Sequence, residues 1–105
     1  MPILPTWGGG SEFEYKGSVE AGTDITYGKK RKIRVEAHQY AALRSRFRGR
    51  EVPVSTSRTN SRRDSLGAWL QVNVTGTAIA SYVAPILVHE NYAERIGEHE
   101  IHVTR

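Results

Sequence analysis

The spacing of the apolar residues changes once along this chain, and that change limits the folds it can adopt. Over residues 11–35 apolar side chains recur at every second position, in the pairs Phe13/Tyr15, Ile25/Tyr27 and Ile33/Val35. From Glu36 onward they recur three and four residues apart, first at Tyr40, Leu43 and Phe47. A period of two is typical of strands and a period near 3.6 is typical of helices. The sequence therefore predicts an α+β fold in which the helices begin at Glu36.

The length of the chain predicts a single domain. At 105 residues one hydrophobic core is adequate, whereas two cores would each be marginal. We expect this domain to cover residues 11–105, with a β extension over 11–35 and a core over 36–105. Residues 1–10 contain two prolines and three consecutive glycines and show no periodicity, so we expect a flexible arm there.

Glycine, proline and polar residues predict where the first helix, a short strand and a loop lie in the first part of residues 36–105. The first helix should end at Gly49, which supplies a left-handed stop. Residues 51–55 alternate but contain a proline, which predicts a short edge strand. A polar loop over residues 57–64 follows, and Asp64 can cap a second helix.

The remaining signals predict a third helix and a hairpin. Thr75 can cap the third helix almost immediately after the second, so that a tight turn joins the two. Pro85 lies inside the third helix, removes one backbone donor and should bend or divide it. Asn91 can take the left-handed position at its end. Residues 92–103 then alternate on either side of Gly97-Glu98, which predicts a β-hairpin.

From Glu36 onward, the order of helix, short strand, two helices and hairpin resembles a winged helix-turn-helix domain. The resemblance covers about seventy residues and rests on the third helix and the strand after it, in the runs Thr75-Gly76-Thr77-Ala78-Ile79-Ala80-Ser81-Tyr82-Val83, Leu87, Asn91-Tyr92 and Ala93-Glu94-Arg95. It implies a winged-helix-like α+β fold that binds DNA. In the family the third helix enters the major groove and the hairpin contacts the minor groove or the backbone.

The resemblance also implies which residues would face the DNA. Carried onto this sequence, the groove-facing positions are Gly76, Thr77, Ala80, Ser81 and Ala84. These side chains read base edges poorly, because none of them is Arg, Lys, Gln or Asn. The tip of the hairpin, residues 97–100, is acidic, and phosphates would repel it.

A second resemblance is to small uncharacterised bacterial proteins that are carried on mobile gene cassettes. It rests on the runs SLGAWLQ at residues 65–71 and AIASYVAPIL at residues 78–87. It implies a bacterial source and gives no activity.

The positive charge is concentrated in the middle third of the chain. Residues 29–63 hold twelve Lys or Arg against two Glu, a net charge of +10, whereas residues 1–28 and 64–105 each carry −3. Clustered cations beside polar residues favour phosphate contacts, so an anionic partner should contact the middle. We expect nucleic acid, in the first place DNA, to contact Lys29, Lys30, Arg31, Lys32, Arg34, Arg44, Arg46, Arg48, Arg58, Asn60, Arg62, Arg63, Thr77 and Ser81. The alternative is a solvated basic face that only balances the acidic flanks.

Small residues on the third helix support a second hypothesis. Gly76, Ala80 and Ala84 are spaced four apart and form a stripe that lets another surface approach closely. That surface would be either the N-terminal strands or a second subunit, and we favour a homodimer. The second hypothesis is therefore a protein-interaction or oligomerisation module.

Several classes of site have no support in the sequence. Without cysteine there is no disulfide framework, thiolate metal site or cysteine nucleophile, and an intracellular, cytoplasmic protein is the default. No apolar run is long enough to span a bilayer, and we expect no membrane partner and no cofactor. We expect no metal site either, because His102 and Glu100 form at most a weak, exposed pair. The enzymatic alternative is a toxin-like ribonuclease that uses His38 or His89 with Arg58.

Overall fold

The computed structural model describes residues 2–55 and 64–105. Four strands come first: β1 (Ile3–Pro5), β2 (Glu12–Ser18), β3 (Gly22–Tyr27) and β4 (Arg31–Glu36). Three helices, one short strand and a hairpin follow in the order α1 (Ala37–Phe47), β5 (Glu51–Pro53), α2 (Leu66–Asn73), α3 (Ala80–His89), β6 (Ala93–Ile96) and β7 (Glu100–Val103). The prediction of an α+β fold is confirmed.

The strands form two antiparallel sheets. In the N-terminal sheet β1 to β4 pair in sequence order, whereas the C-terminal sheet has the order β5-β7-β6. The register places Tyr15 opposite Ile25 and Ile25 opposite Ile33, so the predicted apolar pairs lie on one face. That face is buried under the helices, whereas the alternate residues of the same strands are polar and more exposed. The predicted period of two is therefore confirmed for these strands.

The first helix begins directly after β4, as predicted. The backbone N–H of Glu36 donates to Oε1 of Gln39 at 2.8 Å, half of a capping box that starts α1. The hydroxyl of Tyr40 lies 2.7 Å from the hydroxyl of Thr23 on β3, inside the core. Gly49 has a φ of +78° and ends the helical segment. The three apolar residues of the predicted stripe are buried: Tyr40, Leu43 and Phe47.

The starts of the second and third helices differ from the prediction. Ser65 caps α2, not Asp64, because the Ser65 hydroxyl accepts a backbone N–H of the helix at 3.0 Å. Thr75 does not cap the third helix, which begins only at Ala80. The Thr75 hydroxyl instead accepts the N–H of Thr77 at 3.4 Å, a local turn of the kind that competes with helix formation. The connection between α2 and α3 is therefore longer than the tight turn that we expected.

The C-terminal hairpin follows α3 through a left-handed residue, as predicted. Asn91 has a φ of +65° and reverses the chain at the end of the helix. The hairpin turn has three residues, 97–99, and not the expected two. Its first residue, Gly97, has a φ of +64°, which glycine adopts without a steric cost.

Residues 2–10 do not form the flexible arm that we expected over residues 1–10. Ile3–Pro5 pair with β2, and Trp7 is only 5% exposed. The indole Nε1 of Trp7 donates to the carbonyl oxygen of Glu98 at 2.7 Å. The guanidinium of Arg95 lies 4.1 Å from the centroid of the same ring. One buried aromatic side chain therefore fixes this segment against the C-terminal hairpin.

Pro85 contributes to the same attachment. Helix α3 runs without a break from Ala80 to His89, so the proline does not divide it. A proline lacks the N–H that would bond the carbonyl four residues earlier, which here belongs to Ser81. The backbone N–H of Trp7 donates to this carbonyl at 3.0 Å. The N-terminal segment therefore satisfies an acceptor that the proline leaves open.

The N-terminal sheet packs against α3. The rings of Phe13 on β2 and Tyr82 on α3 meet edge-on, with 5.2 Å between their centroids. Beyond the end of the helix, the carboxylate of Glu90 accepts the hydroxyl of Tyr15 at 2.6 Å and the N–H of Val19 at 3.0 Å. Burial, and then the bond to this carboxylate, raise the pKa of Tyr15, so its phenol stays protonated and keeps donating. Both sheets and all three helices contribute to one core.

Gly67 allows the start of α2 to lie against the chain that follows β5. Its N–H donates to the carbonyl of Val54 at 2.8 Å, and a Cβ at this position would overlap the carbonyl oxygen of Ser55. We predict that Gly67→Ala lowers the free energy of unfolding by about 1–3 kcal/mol, because the backbone must shift to admit the methyl group. Gly76→Ala is the matched control, since a Cβ there meets nothing within 4 Å. Urea unfolding measures both variants, and equal losses would contradict the packing at Gly67.

A second prediction about stability follows from the hydrogen bonds of Glu90. A glutamine keeps only one acceptor oxygen, so in Glu90→Gln the amide can still accept the Val19 N–H but offers the Tyr15 hydroxyl a donor in place of an acceptor. Both contacts lose their ionic character. We predict a loss of about 1–3 kcal/mol in the free energy of unfolding. Glu94→Gln removes an exposed carboxylate on β6 and should change this free energy by less than about 0.5 kcal/mol. Unfolding curves that are the same for the two variants would rule out a stabilising role for the Glu90 contacts.

Candidate nucleic-acid interface

The turn between β3 and β4 and the first two residues of β4 carry four consecutive cations at one end of the N-terminal sheet. We refer to Lys29, Lys30, Arg31 and Lys32 as the basic hairpin. All four are exposed, and none forms an ion pair with another residue that the structure describes. Lys30 has a φ of +64°, a conformation that a residue other than glycine adopts only at some cost. The basic hairpin therefore presents charge that no described carboxylate neutralises.

Two tyrosines lie beside the basic hairpin. The rings of Tyr27, at the end of β3, and Tyr82, on α3, stack with 4.7 Å between centroids and 29° between planes. Both rings are partly exposed. Arg31 stands directly opposite Tyr27 in the sheet, which places this arginine beside the pair. Burial raises the pKa of Tyr82. Tyr82 is not among the contact residues predicted from the sequence, and it enters those predictions only in the run that resembles a third helix.

Arg34, further along β4, is neutralised within the monomer. Its Nη1 lies 3.1 Å from Oδ2 of Asp24, and its Nε lies 2.8 Å from Oε1 of Glu36. The bond to Glu36 is the main cause of the raised pKa of Arg34. Asp24 stands directly opposite Arg34 in the sheet, so the strand register itself brings the two charges together. For Arg34 the structure supports the alternative interpretation, in which the basic segment balances acidic residues.

The outer face of the N-terminal sheet carries charges of both signs. Across β2, β3 and β4 the register aligns Glu14 with Thr26 and Lys32, and Lys16 with Asp24 and Arg34. These side chains line an open hollow of about 360 Å³. Charges that alternate over such short distances give only a weak net field. The outer face is therefore a poor site for a polyanion.

The arginines of α1 form a second basic group with different surroundings. Nε of Arg44 donates to the backbone carbonyl of Arg105 at 2.6 Å, and its guanidinium lies 4.5 Å from the centroid of the Tyr92 ring. The guanidinium of Arg46 lies 5.6 Å from the ring of the residue that follows it. Arg46 and Arg48 are exposed. The neighbours of Arg44 come from the C-terminal part of the chain, whereas Tyr27 and Tyr82 adjoin the basic hairpin.

The other predicted contact residues belong to the polar loop and the third helix. Arg58, Asn60, Arg62 and Arg63 lie outside the described residues. Ala80 and Ala84 are fully buried within the monomer. The expectation that these two alanines face a DNA groove or a second subunit is therefore wrong. Thr77 and Ser81 are partly buried, and Gly76 is exposed ahead of the helix.

The acid–base and metal-ligating residues are scattered. Within the described ranges no group of three or more His, Cys, Asp or Glu side chains could hold a metal ion. His38 and His89 are exposed at the start of α1 and the end of α3, and Arg58, their expected partner, is not among the described residues. Nε2 of His99 lies 4.0 Å from Oε2 of Glu98, and both side chains are largely exposed.

Comparisons with known proteins identify no relative. Neither protein-family models, nor curated proteins, nor solved structures gave a match. Across residues 2–55 and 64–105 the structure contains no helix with both the length and the apolar character needed to cross a bilayer. The basic hairpin and the tyrosine pair beside it are therefore the features of the chain from which a function is argued.

Proposed function

We propose that this protein binds nucleic acid through the basic hairpin. The observation that carries the proposal is the set of four consecutive exposed cations, residues 29–32, without an ion-pair partner in the described part of the chain. Arg34 and Arg44, by contrast, bond to acidic side chains or to a backbone carbonyl. Free Lys and Arg side chains contact phosphates and release counterions, which supplies affinity without sequence specificity.

The proposal includes a winged-helix-like core over residues 36–105. The element order α1-β5-α2-α3-β6-β7 supports it, and so does the pairing of β5 with the hairpin strand β7. The surface that would contact nucleic acid differs from the one that winged-helix domains use. Helix α3 is mostly buried, and the hairpin tip carries Glu98 and Glu100, both exposed. The contact therefore moves from the third helix to the basic hairpin, and the shared fold does not imply a shared mode of binding.

Neutralising the basic hairpin should weaken binding. We predict that Lys29→Gln/Lys30→Gln lowers the affinity for a short labelled duplex in low salt. The slope of log K against log salt should fall by about 1 for each phosphate contact that is removed. Fluorescence anisotropy over a series of salt concentrations measures both quantities.

The matched control removes the same charge elsewhere. Arg48→Gln/Arg50→Gln also takes two exposed cations from the chain but leaves residues 29–32 intact. Its affinity and salt slope should stay close to those of the wild type. Equal losses in the two variants would show that only the overall charge matters, and a wild type that fails to bind in low salt would refute the proposal.

The second candidate function is self-association through α2. Val72 on this helix is 84% exposed, the highest value among the described large apolar residues. It lines an open hollow of about 220 Å³ between α1 and α2 together with Phe47, Ala68 and Trp69 and the polar residues Arg46, Asp64, Ser65 and Asn73. An exposed apolar patch of this kind is typical of a contact between subunits. The expected homodimer would then use α2 and not the small-residue stripe of α3.

A charge on this patch should abolish such a dimer. We predict that Val72→Glu sediments as a monomer at concentrations at which the wild type is dimeric, because a carboxylate is costly to bury in an apolar interface. Ala42→Glu adds the same charge at an exposed position of α1 and should leave the association unchanged. Analytical ultracentrifugation compares the three proteins. A dimer that persists in Val72→Glu would exclude α2 as the interface.

A further inference from the structure

An open hollow lies between the N-terminal segment and helix α3. Its volume is about 250 Å³. Apolar side chains from both elements form most of its wall: Leu4, Pro5, Trp7, Pro85 and Val88. The two elements are joined in the free protein, because the N–H of Trp7 donates to the carbonyl of Ser81 on α3 at 3.0 Å. A ligand that enters the hollow therefore does not have to order its walls, which lowers the cost of binding.

Two basic side chains also line the hollow, His89 at the end of α3 and Arg95 on β6. Arg95 donates from Nε to the carbonyl of Gly97 at 2.9 Å and from Nη1 to the carbonyl of Trp7 at 3.1 Å. These bonds position the guanidinium, but they use only two of its five N–H groups and leave its charge uncompensated. Within residues 2–55 and 64–105 neither Arg95 nor His89 forms an ion pair, and no Asp or Glu lines the hollow. The hollow therefore presents a cation beside apolar side chains.

We propose that this hollow binds a small organic carboxylate, with its apolar body against the apolar wall and its carboxylate on Arg95. The hollow shares no residue with the basic hairpin, so the inference does not rest on the proposed function. A guanidinium and a carboxylate form charge-assisted hydrogen bonds, which are stronger than those between neutral groups. His89 adds a second donor, since a histidine carries at least one N–H in either protonation state.

The size of the hollow limits the apolar body of the ligand. An apolar cavity of about 150 Å³ holds benzene. A volume of about 250 Å³ therefore admits one ring with a short acidic side chain. Larger ligands, such as drug-sized molecules, commonly occupy roughly 300 Å³ or more. Acetate is too small to cover the apolar wall, whereas phenylacetate supplies both a ring and a carboxylate and is the probe of choice.

The first measurement compares phenylacetate with two analogues that each lack one of its features. Phenylacetamide keeps the ring but is neutral, and acetate keeps the charge but has no ring. Isothermal titration calorimetry of the wild type should show saturable binding of phenylacetate. Both analogues should bind at least about tenfold more weakly, because one loses the charge-assisted hydrogen bond and the other the apolar contact. Equal binding of phenylacetamide, or no binding of phenylacetate, would overturn the proposal.

Nuclear magnetic resonance locates the ligand without any substitution. As phenylacetate is added, the backbone amide signals of Thr6, Trp7, His89 and Arg95 should shift, because these residues line the hollow and the ring current of the ligand acts over a short range. The signals of residues 29–32 are the internal control, since an anion that only pairs with exposed cations would shift them instead. That result would refute the proposal. Shifts of the lining residues on raising the protein concentration alone would also refute it, because a second copy would then cover the hollow.

A substitution tests the role of Arg95. Arg95→Gln should weaken the binding of phenylacetate roughly tenfold, because it removes the charged donor. Arg48→Gln removes an exposed cation at the end of α1 and should leave the affinity unchanged. Equal affinities in the two variants would contradict the site. The guanidinium of Arg95 also lies over the Trp7 ring, so thermal unfolding of Arg95→Gln checks the fold. If this variant does not fold, the three ligands and the amide signals of the wild type decide the question.

Discussion

The carboxylate of Glu90 is the contact on which the arrangement of this protein depends. By accepting the Tyr15 hydroxyl and the Val19 N–H it fixes β2 to the end of α3, across more than seventy residues of sequence. The contacts of Phe13 and Tyr27 with Tyr82 join the same sheet to the same helix. A hydrogen bond to a charged group is stronger than one between neutral groups, so this contact is well suited to the role. Helix α3 thereby becomes a largely internal element, and the surface proposed for nucleic acid lies on the sheet.

The structural features that were predicted correctly from the sequence depend on residues that are neighbours along the chain. The alternation of apolar side chains gave the strands of the N-terminal sheet, and the stripe of Tyr40, Leu43 and Phe47 gave the first helix. Gly49 and Asn91 were predicted as left-handed residues, and both have positive φ angles. These signals are local, because each depends on the steric properties of a residue or on the spacing of a few neighbours.

The predictions that failed depend on contacts between distant residues. Trp7 donates hydrogen bonds to the carbonyl oxygens of Ser81 and Glu98, which lie 74 and 91 positions away. Because contacts at such distances leave no local signal, the sequence predicted a flexible arm. The positions of Ala80 and Ala84 were predicted on a common face of a helix, but whether that face meets solvent or core depends on a sheet formed much earlier in the chain. The net charge of +10 over residues 29–63 also did not show which cations are available to a ligand. Ion pairs with Asp24 and Glu36 neutralise Arg34, whereas the basic hairpin has no ion pair with a described residue. Of the candidate site, residues 29–32 were found from the sequence, and Tyr82 was not.

The proline in α3 has a consequence for the smallest part of this chain that can fold. Because Pro85 cannot donate to the carbonyl of Ser81, that acceptor depends on the N–H of Trp7. A truncation that began at Ser11 would retain nine-tenths of the residues, but it would remove strand β1, the N–H that the Ser81 carbonyl accepts, and the indole ring that packs in the core. A buried aromatic side chain contributes a large apolar area, so its loss is costly. The minimal folding unit therefore begins before Trp7, although a segment with three consecutive glycines would ordinarily be the first to be removed.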